Sequence, residues 1–229
     1  MKFMPNIFVY QEIQDTNVAM PDLPVKMSET YSQCYEDILI VSKIRADILN
    51  GEELDLAFIE LGANHPFATS NTYLLEKYFN INGILVDANP TLIPALQEYR
   101  TKNKIINAAV VDTNQDTIDF YISVNNEISS VLKSHLDNWK NPDIDNVIKV
   151  PTIRINSILN MLLNKDIILI IDVEGMDMNI LRDMDFKVNP YIIQAEAPEQ
   201  ALRNEMITFM RTKGYKLFAT TDVNLLFTR

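Results

Sequence analysis

Acids and amides in this chain gather where apolar runs give way to turns: FIELGAN at 58–64, GILVDANP at 83–90, IDVEG at 171–175 and IIQAE at 192–196. Gly62, one of only five glycines, follows Glu60 and precedes Asn64; it can take a positive φ and let a ligand lie against the backbone. Asp87 closes the next run, an acid able to accept both hydroxyls of a ribose. Asp172 and Glu174 flank one residue on the turn into Gly175 and are the candidate general bases. Glu196 ends the run after that, and an Asp172–Glu196 pair would suit an oxygen-loving divalent ion such as Mg²⁺. Without a metal, like charges so close raise one carboxylate's proton affinity and make it the better base. The two histidines are His65, read as either an orderer of its turn or a catalytic base, and His135, read first as a solvated surface residue and second as facing substrate.

The turn after Glu60 narrows the ligand. A glycine-rich G-x-G-x-x-G turn brings backbone N–H groups onto a pyrophosphate, whereas GANHPF supplies Gly, Asn, His and Pro. A nicotinamide dinucleotide would be poorly held there. S-adenosylmethionine has no phosphate; it carries an ammonium, a sulfonium and a ribose diol, which a carboxylate and amides suit better.

These groups need a scaffold that brings strand ends together. Apolar runs near 56–61, 83–87, 104–111, 167–172 and 191–196 predict strands, and periodic stretches near 71–79, 91–101, 176–184 and 199–213 predict helices. Such alternation implies a parallel sheet covered on both faces, with ligands beyond the carboxyl ends of its strands. The spacing over 31–50 predicts a further helix, with Ser32 as N-cap and Tyr35 and Glu36 in its first turn. GYKLFATTDVNLLFTR reads as an antiparallel hairpin. The expected fold class is therefore α/β, a Rossmann-like methyltransferase fold with a mostly parallel seven-stranded sheet and an antiparallel C-terminal hairpin. Residues 1–30 hold three of the ten prolines and read as an extended arm that wraps the domain or packs on a partner in a homodimer. Residues 31–229 read as one domain. An insertion at about 113–153 carries two strands, either extending the sheet edge or shaping a substrate pocket.

Bulk properties exclude several classes. A chain of 229 residues, 47% hydrophobic, fits one α/β domain. A net charge of -11 argues against a nucleic-acid partner. Single Cys34 gives no disulfide framework and fits a reducing compartment, so the expected location is cytoplasmic. No run reads as a membrane span, the longest, IILIIDV, being strand-sized, and MKFMPNIFVYQEIQ has no signal-peptide pattern.

Taken in order, SQCYED (32–37), ELGANHPFATSNTYLLEK (60–77), GILVDANP (83–90), NAAVVD (107–112), ISS (128–130), IDVEGMDMNILRDMDF (171–186) and PYIIQAE (190–196) resemble the FkbM-type methyltransferases over about 32–228. Two positions depart from that pattern. Tyr35 stands where the family usually has glycine, and GANHP replaces a more common Gly-Ala-Asn-x-Gly, which stiffens the loop at His65 and Pro66. The resemblance implies O-methylation by S-adenosylmethionine, frequently of a sugar hydroxyl in polysaccharide or natural-product biosynthesis, here on a sugar or nucleotide-sugar. It implies that Glu60, Gly62 and Asn64 surround the methionine part and that Asp87 and Ala88 hold the ribose. It also implies that Asn107, Ala108 and Ala109 border the adenine, with Gln33, Asn71 and Asp172 as further contacts. A non-catalytic ligand-binding or assembly subunit on the same fold is the alternative; intact Asp87, Asp172 and Glu174 favour an enzyme.

Overall fold

The computed structural model describes residues 8–9, 29–124, 128–137 and 144–229. In chain order the elements begin with β1 (Phe8–Val9), α1 (Glu36–Leu49), β2 (Leu56–Leu61), α2 (Tyr73–Phe79), β3 (Gly83–Asp87), α3 (Ile93–Tyr99), β4 (Lys104–Asn107) and β5 (Ala109–Val110). They continue with β6 (Thr117–Ser123), α4 (Lys133–Asp137), β7 (Ile144–Ile153), α5 (Ile155–Leu159), β8 (Asp166–Ile171) and α6 (Asp177–Asp183). The last are β9 (Ile192–Glu196), α7 (Gln200–Thr212), β10 (Lys216–Thr220) and β11 (Asn224–Thr228).

The main sheet runs β1-β10-β11-β9-β8-β2-β3-β4. Its five strands β4, β3, β2, β8 and β9 are parallel, β11 is antiparallel to β9, and β10 returns beside β11. Seven strands thus form the expected Rossmann-like arrangement, and two residues of the arm, β1, add to the β10 edge. The rest of residues 1–28 lies outside the described residues. Among the described residues no helix is long and apolar enough to cross a membrane.

The central strands are apolar throughout because both their faces are covered. In β8, Ile167, Leu169 and Ile171 enter one core with Ile158, Leu181 and Met206 from α5, α6 and α7. Ile168 and Ile170 enter the other, with Ile40, Leu74 and Leu96 from α1, α2 and α3. Side chains pointing to alternate faces of each strand thereby build a three-layer body whose strand ends are aligned.

Three local expectations are corrected. Helix α1 starts at Glu36, with Tyr35 left-handed at φ 67 in the N-cap position. Ser32 instead lies outside the helix, its hydroxyl donating to Asp37 Oδ1 at 2.8 Å, because that carboxylate also collects Thr30 Oγ1 and the Tyr31 N–H and folds the preceding segment over the first turn. The strand expected over 104–111 divides at Ala108: β4 stays in the main sheet, whereas β5 joins β7 and β6 in a second, three-stranded sheet. The inserted strands β6 and β7 pair antiparallel there rather than extending the main edge, around Ala109, Val111, Phe120 and Val150.

One buried cation holds the loop that precedes α2. Arg100 is fully buried; it donates to Glu76, to the Pro66 carbonyl and to the hydroxyls of Ser70 and Thr72. Removing one partner of a buried pair strands the other charge, at a cost of ~3–5 kcal/mol. Arg100→Ala is therefore expected to lower unfolding free energy by about that amount in urea titrations, whereas truncating the exposed partner in the surface pair Arg182–Glu205 should be near-neutral.

Candidate functional site

The carboxyl ends of β3, β2, β8 and β9 open on a cavity of about 380 Å³. Gln33, Gly62, Asn64, Asn71, Asp87, Ala88, Ala108, Asp172, Glu174 and Glu196 all line it. Its far wall comes from the second sheet and the segment that follows β6, through Ala109, Phe120, Ser129 and Ser130.

The tip of β2 folds over the tip of β3. Gly62 and Ala63 donate their N–H groups to the Val86 carbonyl at 2.9 and 3.1 Å, and Asn64, left-handed at φ 46, donates its own to Asp87 Oδ2 at 2.8 Å. Asn89 N–H meets Asp87 Oδ1 at 2.8 Å. Each carboxylate oxygen of Asp87 therefore keeps a further lone pair. Burial still dominates over these bonds and raises the Asp87 pKa to about 6. Gly62 sits at φ +80 with an added Cβ falling 1.8 Å from the Asp172 carbonyl oxygen, so only glycine lets the tips of β2 and β8 approach this closely.

Three expected residues stand away from the cavity. Glu60 is buried outside the cavity lining, and its carboxylate accepts from Ser70 Oγ, the Asn71 N–H and Thr72 Oγ1, which orders the turn into α2. Asn107 spends its amide on the carbonyls of Asp87 and Ala88, at 2.9 and 3.2 Å, and so fixes the backbone next to the cavity. His65 is exposed, and its Nδ1 accepts from the N–H groups of Phe67 and Ala68; it organises its own turn and does not line the cavity.

The acids beyond β8 and β9 form the opposite wall. Burial first, then the charges of Glu196, Asp177, Glu174 and Glu36, push the Asp172 pKa well above the carboxylate range. Burial and Glu174 bring Glu196 to about 7. Asp177, buried at the start of α6, accepts the Glu196 N–H at 2.9 Å and that of Val173 at 3.4 Å, so it ties the two strand ends together. Glu174 is left-handed at φ 51. Its Oε2 lies 2.8 Å from His135 Nε2, and its carbonyl accepts Ser130 Oγ at 2.7 Å.

His135 is thus a partly buried partner of Glu174, correcting the solvated-surface reading, and the hydrogen bond raises its pKa above 6.5. Its ring lies over Gly175, where a Cβ would meet Nδ1 at 2.9 Å. Glu36 and Asn224 also line the cavity. Glu36 belongs to the SQCYED block, where it reads only as a first-turn residue of its helix, and Asn224 carries no local pattern that separates it from strand surface; for His135, proximity to the Ser129–Ser130 block is the available signal.

The Mg²⁺ expected on Asp172 and Glu196 finds no fuller donor set: among the described residues, no group of three or more His, Cys, Asp or Glu is arranged to hold a metal ion. The strand-tip acids are left facing the cavity as a proton-accepting and cation-attracting surface.

Comparison with known proteins matches residues 60–217 to the Methyltransferase FkbM domain. No curated protein and no solved structure matches the chain. The matched span runs from the end of β2 to the start of β10 and takes in Asp87, Asp172, Glu174 and Glu196. With the strand order and the cavity at the strand ends, that match makes the chain a member of the FkbM methyltransferase family.

Proposed function

We propose that the chain uses S-adenosylmethionine to methylate a hydroxyl group on a sugar or sugar-like acceptor. The observation that carries this reading is Asp87: it lines the cavity with both oxygens aligned by backbone N–H groups and a lone pair spare on each, the arrangement two ribose hydroxyls require. Gly62 lines the cavity beside it and, with no side chain, lets the tip of β8 close against the tip of β2. Ala88, Ala108 and Ala109 supply a small, apolar border suited to a flat base.

S-adenosylmethionine supplies a methyl carbon activated by its sulfonium. The protein's part is to place an acceptor oxygen in line with that carbon and to receive the acceptor's proton. Alignment of this kind is worth ~7–11 kcal/mol of a barrier, and a placed base adds roughly 10²–10⁴-fold. Asp172 is the base in this reading, since burial and its acidic neighbours raise its proton affinity. Glu174, fixed by His135, orients the acceptor hydroxyl beside it.

Two outcomes are expected. A ribose diol needs ionised Asp87, and a group with its pKa raised to about 6 loses that charge as pH falls. S-adenosylhomocysteine affinity, measured calorimetrically, should be level above pH ~7 and fall about tenfold for each unit below ~6; Asp87→Asn should remove the pH dependence together with most of the affinity. Methyl transfer from labelled S-adenosylmethionine to a panel of sugars should fall roughly 10²-fold or more in Asp172→Asn. Wild-type turnover in that variant would end its assignment as the base, and absence of turnover with every acceptor despite tight cofactor binding would favour a non-catalytic binding subunit.

A further inference from the structure

We propose that the acceptor carries a protonated amine, received at the β9–β11 end of the cavity by Glu36, Glu196 and Asn224. This rests on the methyl-transfer reading and adds the chemistry of the molecule methylated.

Position separates this end from the nucleoside. Asp87 and Asn224 lie at the ends of β3 and β11, with β2, β8 and β9 between them. At ~4.8 Å per strand, four spacings put them roughly 19 Å apart. The nucleoside site spans β3 and β2, and the proposed base ends β8. What remains, at β9 and β11, faces the acceptor.

Asn224 is 4% exposed and pairs directly with Glu196 across the two strands. Its Nδ2 donates to Glu36 Oε1 at 2.8 Å, while its Oδ1 has no partner among the described residues. The amide is held this way round because Glu36 Oε1 serves as an acceptor, for Thr221 Oγ1 as well as for the amide nitrogen. A buried acceptor left unmatched is therefore built into the cavity wall. It calls for a ligand that donates.

Charge points the same way. Glu36 is fully buried, and its oxygens take the Cys34 N–H at 2.8 Å, Thr221 Oγ1 at 3.0 Å and the Asn224 amide, all neutral donors. Glu196 faces Glu174, whose imidazole partner His135 is already engaged. Among the described residues no lysine or arginine lines the cavity. Arg203, the basic residue on this side, directs its guanidinium to the carbonyls of Ala197, Thr221 and Asp222 and is not part of the wall. The diphosphate of a nucleotide-linked sugar would meet carboxylates here without a cation, and a neutral sugar would leave the carboxylates unmatched. An ammonium supplies three donors and the missing positive charge. Held charged by these acids, the nitrogen has no lone pair to attack with, so the methyl group goes to a neighbouring hydroxyl.

Glucosamine, N-acetylglucosamine and glucose 6-phosphate, alike in ring and different in charge, test this by calorimetric titration near pH ~6.5, with and without saturating S-adenosylhomocysteine. Glucosamine is expected to bind at least about tenfold more tightly than either of the others, and Glu196→Gln and Asn224→Leu should each cut that preference to about threefold or less. Binding of S-adenosylhomocysteine by the variants reports that they are folded, and Glu196→Gln keeps the test valid if Asn224→Leu is not. Equal or tighter binding of the acetylated or phosphorylated sugar, no preference at all, or a preference unchanged in Glu196→Gln would overturn the proposal. Failure of S-adenosylhomocysteine to bind the wild type would instead count against the methyl-transfer reading, with the amine preference still decided in the titrations without it.

Discussion

Asp172, Glu174, Asp177 and Glu196 stand beyond the ends of two neighbouring strands, where burial and acidic neighbours make Asp172, Asp177 and Glu196 harder to ionise. The fold ties down two of the four. Asp177 is bonded to the N–H groups of Glu196 and Val173, and Glu174 is bonded to His135. Asp172 and Glu196 face the cavity with no basic side chain in its wall among the described residues. An acidic wall of this kind favours ligands that bring positive charge, a sulfonium beside Asp172 and an ammonium at Glu196.

Backbone conformation around the cavity follows from the same crowding. Tyr35, Asn64 and Glu174 all adopt left-handed φ values, and Gly62 and Gly175 do so on either side of the acids. Such residues persist where surrounding contacts over-determine them. For Gly62 the determinant is the Asp172 carbonyl, and for Gly175 it is the His135 ring. Close packing thus fixes the distance between β2 and β8 and the direction in which Glu174 points. The second sheet serves this arrangement by delivering Ser130 and His135 onto the Glu174 turn.

Much of the scaffold was legible in the chain because it rests on local patterns. DIILII is apolar on both faces, the hairpin is marked by Thr-Thr-Asp, and an acid closes each of β3 and β9. What escaped depends on contacts between distant segments. Glu60 has the position of a ligand-binding acid, yet Asn71 and Thr72, brought back by the following turn, use its oxygens first. Asn107 and His65 are likewise taken up by nearby backbone groups. The pairing of His135 with Glu174 and that of Glu36 with Asn224 join parts of the chain 39 and 188 positions apart, beyond the reach of periodicity.

A crystal structure of the protein with S-adenosylhomocysteine tests the central claim most directly. The ribose hydroxyls are predicted on the Asp87 carboxylate, with the amino-acid end passing Gly62 toward Asp172 and the β9–β11 end left open. A nucleoside seated elsewhere, or one whose ribose turns away from Asp87, would contradict it.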